Sequence, residues 1–194
     1  MPWLVALLLA LLLGSWAAWS RGLQAVAAVL AVAAFALAFV VGRRIEAQRD
    51  ADWAAAARAV QGTFRAGDAG YCAGFGRPAP WDAWARDGEL QCTRVIDGAG
   101  ASPPFALVQI RYSVRESRGE EHPDSWYEVT VAVVRRPGAA GLPQLQDVPA
   151  PAGHAAVHNG QSVFVWKKAN RGAGASLTAD ELPALLDTAR HLAP

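Results

Sequence analysis

Two apolar runs, Leu4 to Trp19 and Leu23 to Val41, fill most of the first forty residues without a charged side chain, and only a short turn holding Arg21 separates them. Such runs are costly in water and stable in hydrocarbon, so they predict a membrane protein. At about 1.5 Å per residue the first run is about 24 Å long, short for a hydrocarbon layer of roughly 30 Å, so it spans only with little tilt. Trp3, Trp16 and Trp19 bracket it at the depth where amphipathic rings prefer the headgroups. The second run ends at Gly42-Arg43-Arg44.

Small residues recur at helical spacing on both runs: Ala6, Ala10, Gly14 and Ala18 on the first, Ala27, Ala31, Ala34 and Ala38 on the second. Each set makes one stripe along a helix, and in lipid such stripes let backbones approach closely. The pattern predicts a transmembrane helical hairpin over residues 1–42, with the same small faces available for self-association or a protein partner. Arg43, Arg44 and Arg49 follow the second span, against Arg21 alone in the turn. The basic-residue rule therefore predicts a multi-pass protein of the inner or plasma membrane with its C-terminal domain in the cytoplasm. Leu4 to Leu13 also has the length of a signal-peptide core, but it lacks a basic n-region and a small-x-small cleavage site before Arg21.

Taking Arg21 from the eighteen Lys and Arg leaves seventeen against seventeen Asp and Glu in the chain beyond the spans. That balance argues against a nucleic-acid partner, whose footprint needs a basic excess, and against a polybasic lipid patch beyond the arginines at the span end. About 150 residues remain there, enough for one domain with its own core. Residues 43–61 read as a juxtamembrane helix, with Ile45, Trp53, Ala56, Ala57 and Val60 on one side and Gly62 as its stop. The bland reading of this segment is a stalk that continues the second span as one rod.

Residues 62–194 read as a soluble α+β domain. Phe105 to Glu116 alternates with period two: Val108, Ile110, Tyr112 and Val114 share one face, and Gln109, Arg111, Ser113 and Arg115 the other. Ser125 to Arg136 repeats the pattern, and the polar link between them makes a hairpin with a long loop. One buried face is implied, as in an antiparallel sheet covered on one side. Leu90 to Ile96 is a further strand, and Leu142, Leu145 and Val148 suggest an irregular edge strand. Asn159-Gly160 between two apolar segments predicts a tight hairpin with His158 opposite Gln161. Thr178-Ala-Asp-Glu181 is a capping box before a final helix whose Leu182, Leu185, Leu186, Ala189 and Leu192 stripe covers the sheet. Pro183 allows the helix to begin late.

Chemistry-bearing residues are few, and the sequence assigns no catalytic, cofactor-binding or metal-binding residue. Cys72 and Cys92 are expected to be buried thiols, because a cytoplasmic disulfide does not persist; a domain outside would make the disulfide the leading reading. His154 and His158 lie four apart and could join the cysteines as zinc ligands, but the spacing fits no compact zinc pattern, so surface histidines are the expectation. Glu116, Glu120, Glu121 and Asp124, interleaved with Arg115, Arg118 and His122, read as a solvated loop. Trp81, Trp84, Trp126 and Trp166 are expected in the core, with an interaction surface as the alternative. Gly74-Phe75-Gly76 does not make a phosphate loop.

The Val129 to Val134 run ending in Arg135-Arg136-Pro137, the Val163-Phe164-Val165-Trp166 segment and the closing Leu185-Leu186-Asp187-Thr188-Ala189-Arg190 helix give a pattern that resembles uncharacterised bacterial membrane proteins of high-GC organisms. The resemblance implies two spans and a soluble domain, and no activity. Three function classes remain: a membrane-anchored scaffold or interaction domain, a membrane-bound enzyme acting through the Cys and His residues, and a ligand sensor with a pocket lined by Tyr112 or Trp166.

Overall fold

The computed structural model describes residues 2–67, 70–85, 89–114, 125–169 and 174–193. The acidic and basic cluster between 115 and 124 lies outside them, as does Arg171. The chain divides into two compact units, Met1–Arg49 and Asp50–Pro194.

In the first unit, helix α1 (Pro2–Ser20) precedes helix α2, whose helical hydrogen bonding continues without a break from Gln24 to Ala59. The α2 helix is long and apolar enough to cross a membrane, whereas Leu4–Ser20 is a shorter apolar helix. The two approach each other through small residues. Ala18, Ala27 and Ala34 are buried, Ser15 Oγ donates to the Ala27 carbonyl at 3.0 Å, and a Cβ on Gly14 would lie 3.4 Å from Leu30. On α2 the expected stripe holds except at Ala38, which is exposed. On α1 it holds only at Gly14 and Ala18: Ala6 and Ala10 are exposed, while Leu4, Leu8 and Leu11 turn inward. The physical reason is register. Stepping back four and three from Ala18 gives Ser15 or Gly14, Leu11, Leu8 and Leu4, the heptad-like row that meets a partner helix, while a pure four-step drifts away from it. Large side chains point outward on both helices, among them Leu13, Trp16, Val32 and Phe35.

The second unit begins inside α2. Trp53, Ala56 and Ala57 are buried in the domain's core, so the segment read as a stalk is part of the fold. The helix ends in a left-handed Gln61 (φ 59°), and the Gly62 amide returns 2.8 Å to the Ala57 carbonyl. Here the positive φ falls on Gln61, one residue before the expected stop. Glycine is required at 62 for a different reason: a Cβ there would lie 2.6 Å from Ile96 Cγ2.

Seven antiparallel strands follow: β1 (Thr63–Ala66), β2 (Leu90–Gly98), β3 (Phe105–Val114), β4 (Ser125–Arg135), β5 (Gln146–Asp147), β6 (His154–His158) and β7 (Ser162–Lys167). They form one sheet in the order β1-β2-β3-β4-β7-β6-β5. The β3–β4 hairpin forms in the expected place, with Val108 opposite Val131 and Tyr112 opposite Tyr127. The β6–β7 turn is wider than Asn159-Gly160 alone: His158 pairs with Val163, not Gln161, and the Asn159 amide donates to the Ser162 carbonyl at 3.1 Å. This moves each partner by two residues, so every side chain keeps its face.

The expectation of one covered face is corrected: both are covered. On one side Phe105, Leu107, Ala132, Val134, Val163 and Val165 pack with Trp53 and with helix α4 (Leu182–Leu192). On the other, Val95, Val108, Ile110, Val129, Val131 and Phe164 are capped by residues 70–85, which hold a short 3₁₀ turn (Tyr71–Phe75) and helix α3 (Pro80–Trp84). Polar residues on the first side conceal it from a periodicity reading. Gln109, Ser113 and Thr130 are buried there because each has partners: Gln109 bonds Arg94 and Ser176, Ser113 bonds Glu89, and Thr130 accepts from the Leu177 amide. A bulge between Cys92 and Arg94 sends Cys92 to one face and Arg94 to the other, although the two are only two apart.

Before α4, a 3₁₀ turn (Ala179–Glu181) carries the capping box. The Glu181 carboxylate accepts from the Thr178 amide at 3.1 Å, the Thr178 hydroxyl at 2.9 Å and Lys167 Nζ at 3.0 Å. The α-helix proper begins at Leu182, next to Pro183.

Candidate functional site

Residues 70–85, the stretch least regular in sequence, gather most of the domain's distinctive side chains. Cys72 and Cys92 are joined as a disulfide, twenty positions apart, with both residues buried. The expected free thiols are thus corrected. The bulge at Thr93 turns Cys92 toward the capping segment, and the cross-link ties that segment to β2. Closing a loop of this length removes unfolded-chain entropy worth about 3 kcal/mol.

The same segment is held at its other end by Asn159, which is buried. Its Nδ2 donates to the Pro78 carbonyl at 3.1 Å and the Phe75 carbonyl at 3.4 Å, while its Oδ1 accepts the Ser162 amide at 2.8 Å. An asparagine suits this place because its amide offers donor and acceptor at once. The sequence suggested only a turn residue here.

Between these two fastenings lies an aromatic cluster. Trp81 meets Phe75 at 5.8 Å and Phe164 at 5.4 Å, edge to face, and Trp84 meets Trp166 at 5.0 Å. Trp81 and Trp166 are buried and Trp84 is half-buried, as a core reading of them expects. Tyr112 is buried too, stacked 5.6 Å from Tyr127. Trp126 differs. It is 39% exposed, and the Arg111 guanidinium lies 4.6 Å over its ring.

Among the described residues, concavities open around the capping segment. One of about 620 Å³ is open and bounded by Arg77, Trp81, Asp82, Leu142 and Pro143. A small one of about 110 Å³ brings Cys72 near Asp82. The sulfur there is in the disulfide, and Asp82 Oδ2 accepts the Ala79 amide at 2.9 Å at the start of α3. A third, of about 350 Å³, is lined by Phe75, Arg135, Arg136, Gly138, Gln161 and Ser162 among others, with no carboxylate among its described lining residues.

Three elements build that third cleft. Strand β4 ends at Arg135, paired with Ser162 of β7; the Arg135 amide donates to the Pro104 carbonyl and the Arg136 amide to the Gln161 carbonyl, each at 2.8 Å. The chain then turns through Gly138 (φ 80°), with the Ala139 amide on the Arg136 carbonyl at 3.2 Å. The Arg135 guanidinium lies 5.1 Å over the Phe75 ring, and the Arg136 Nε is buried without a hydrogen-bond partner among the described residues. Nearby, burial first and the charge of Asp97 second push the Tyr71 phenol well above its ordinary range.

His154 and His158 sit on β6, the first with Nδ1 3.3 Å from the Ala152 carbonyl and the second with Nδ1 accepting the Gly160 amide at 3.3 Å. No group of three His, Cys, Asp or Glu side chains converges as a metal site among the described residues. Comparison with family models, with curated proteins and with solved structures finds no match.

Proposed function

We propose that the chain is a membrane-tethered interaction domain, held by a two-helix hairpin in the bilayer and displayed on its oxidising side. The observation that carries the interaction reading is Trp126, a large ring held at the surface beneath the Arg111 guanidinium. Tryptophan and arginine are the residues that dominate binding at protein interfaces, and stacking fixes both before a partner arrives.

The hairpin reading rests on the outward side chains of α1. Leu9, Leu12, Leu13, Trp16 and Trp19 are all exposed on that helix, and lipid is the solvent that accepts such a surface. For the side of the membrane, two cues oppose each other. Three arginines after α2 against one in the turn favour the inner face. The Cys72–Cys92 disulfide favours the outer one, because reducing compartments do not maintain such bonds. A specific covalent pairing is the stronger cue than so small a charge difference, so the domain is assigned outside.

A photo-crosslinking residue at 126, compared with one at the exposed Asp147 on the sheet edge, tests the interaction reading in intact membranes. A discrete protein adduct at 126 alone, lost in Arg111→Ala, supports it. Equal or absent products at both positions refute it.

A further inference from the structure

We propose that the Arg135–Arg136 cleft binds a phosphate monoester group. The two guanidiniums are consecutive in sequence yet line one cavity, because the strand ends between them and the chain turns at once through Gly138. No carboxylate is among the described lining residues, and the wall carries two positive charges; Asp97, which accepts the amide of the lining residue Ala99 at 3.0 Å, lies beside it and is itself 3.8 Å from Arg65. A carboxylate ligand would neutralise one of these; a phosphate monoester, close to doubly charged at neutral pH, neutralises both.

The donor set fits the same chemistry. Arg136 Nε is withdrawn from solvent and has no partner among the described residues, so the donors that meet a ligand oxyanion are the terminal guanidinium nitrogens. The Phe75 ring, its centroid 5.1 Å from the Arg135 guanidinium carbon, positions that side chain at the cleft. Gln161 and Ser162 add uncharged polar groups, and Gly138 lets a ligand approach the backbone. At about 350 Å³ the cleft exceeds a bare phosphate and has room for a small organic body against Phe75, Pro104 and Pro137.

A soluble phosphomonoester and the headgroup of a phosphatidate lipid offer the same group, and the experiment separates them. The full chain, in a non-ionic detergent, is titrated calorimetrically with glycerol 3-phosphate and, separately, with dihexanoyl phosphatidic acid, with glycerol and dihexanoyl phosphatidylcholine as controls. Saturable binding of glycerol 3-phosphate supports a soluble ligand; binding of phosphatidic acid alone supports a lipid headgroup. In either case Arg136→Gln weakens affinity by about tenfold or more, and Arg136→Lys, which keeps the charge and loses the planar guanidinium fork, falls between. If Arg136→Gln does not fold, Arg135→Gln carries the same expectation. No saturable binding in either arm at millimolar ligand overturns the proposal, as does equal affinity in Arg135→Gln or the same loss in Arg111→Gln, which lies elsewhere on the sheet.

Discussion

Arg94 Nε donates to Asp50 Oδ1 at 2.7 Å, across 44 residues of sequence, joining β2 to the last turns of α2. Arg94 is 4% exposed and also donates to Gln109 Oε1 at 2.6 Å. A guanidinium taken this far from water needs its acceptors. Asp50→Ala is therefore expected to lower domain stability by about 2 kcal/mol, less than a fully buried pair would lose because Asp50 itself is partly exposed. Denaturant unfolding of the detergent-solubilised chain checks this, and Asp50→Asn should recover part of the loss.

Asn159 faces two carbonyls with its amide nitrogen and an amide N–H with its oxygen. Asn159→Ala leaves those groups unmet inside the protein and should cost about 2–3 kcal/mol. Asn159→Asp should be worse above the carboxylate range, since it sets a negative oxygen against the Phe75 and Pro78 carbonyls. Thermal unfolding of the two variants side by side tests the ordering.

The hydrogen bond from the Thr178 amide, with those from Lys167 and the Thr178 hydroxyl, holds the Glu181 carboxyl below its ordinary pKa. A depressed folded pKa contributes stability that is fully present above the unfolded value and is lost as pH falls through the folded one. The melting temperature of Glu181→Gln should thus lie below that of the native chain at neutral pH, with the gap closing as the solution is acidified below the glutamate range. A gap independent of pH would show that the carboxylate charge has no part in the cap.

Sequence periodicity made one face of β3 and β4 legible, because Val108, Ile110 and Tyr112 alternate with residues that look solvated. It could not reveal the other face. Gln109 and Thr130 are polar, and their burial depends on Arg94, Ser176 and Leu177, partners brought by long-range folding. Likewise, no local pattern marks Thr93 as the bulge that separates Cys92 from Arg94, so the Arg94–Asp50 ion pair escaped notice and the disulfide stood only as the alternative for a domain outside. The Arg135-Arg136-Pro137 motif stood out in sequence, yet its cleft exists only because the β6–β7 turn and the Tyr71–Phe75 turn close around it.

The α1–α2 approach distinguishes inward from outward small residues. Ala34→Leu introduces bulk where the helices meet, and Ala10→Leu adds it to an exposed face. Crosslinking between cysteines placed at 15 and 27, positions joined by the Ser15–Ala27 hydrogen bond, should fall strongly in Ala34→Leu and stay unchanged in Ala10→Leu. Equal effects would contradict the observed face.

Whether the domain stands on the oxidising side, as proposed, is decided by the thiols of Cys72 and Cys92 in intact cells. Acid-trapped protein, denatured and treated with a large maleimide polymer, should show no added mass without reductant and two additions after reduction. Two additions without reductant would mean that the cysteines are free in the cell, and the assignment of the domain to the outer face would be wrong.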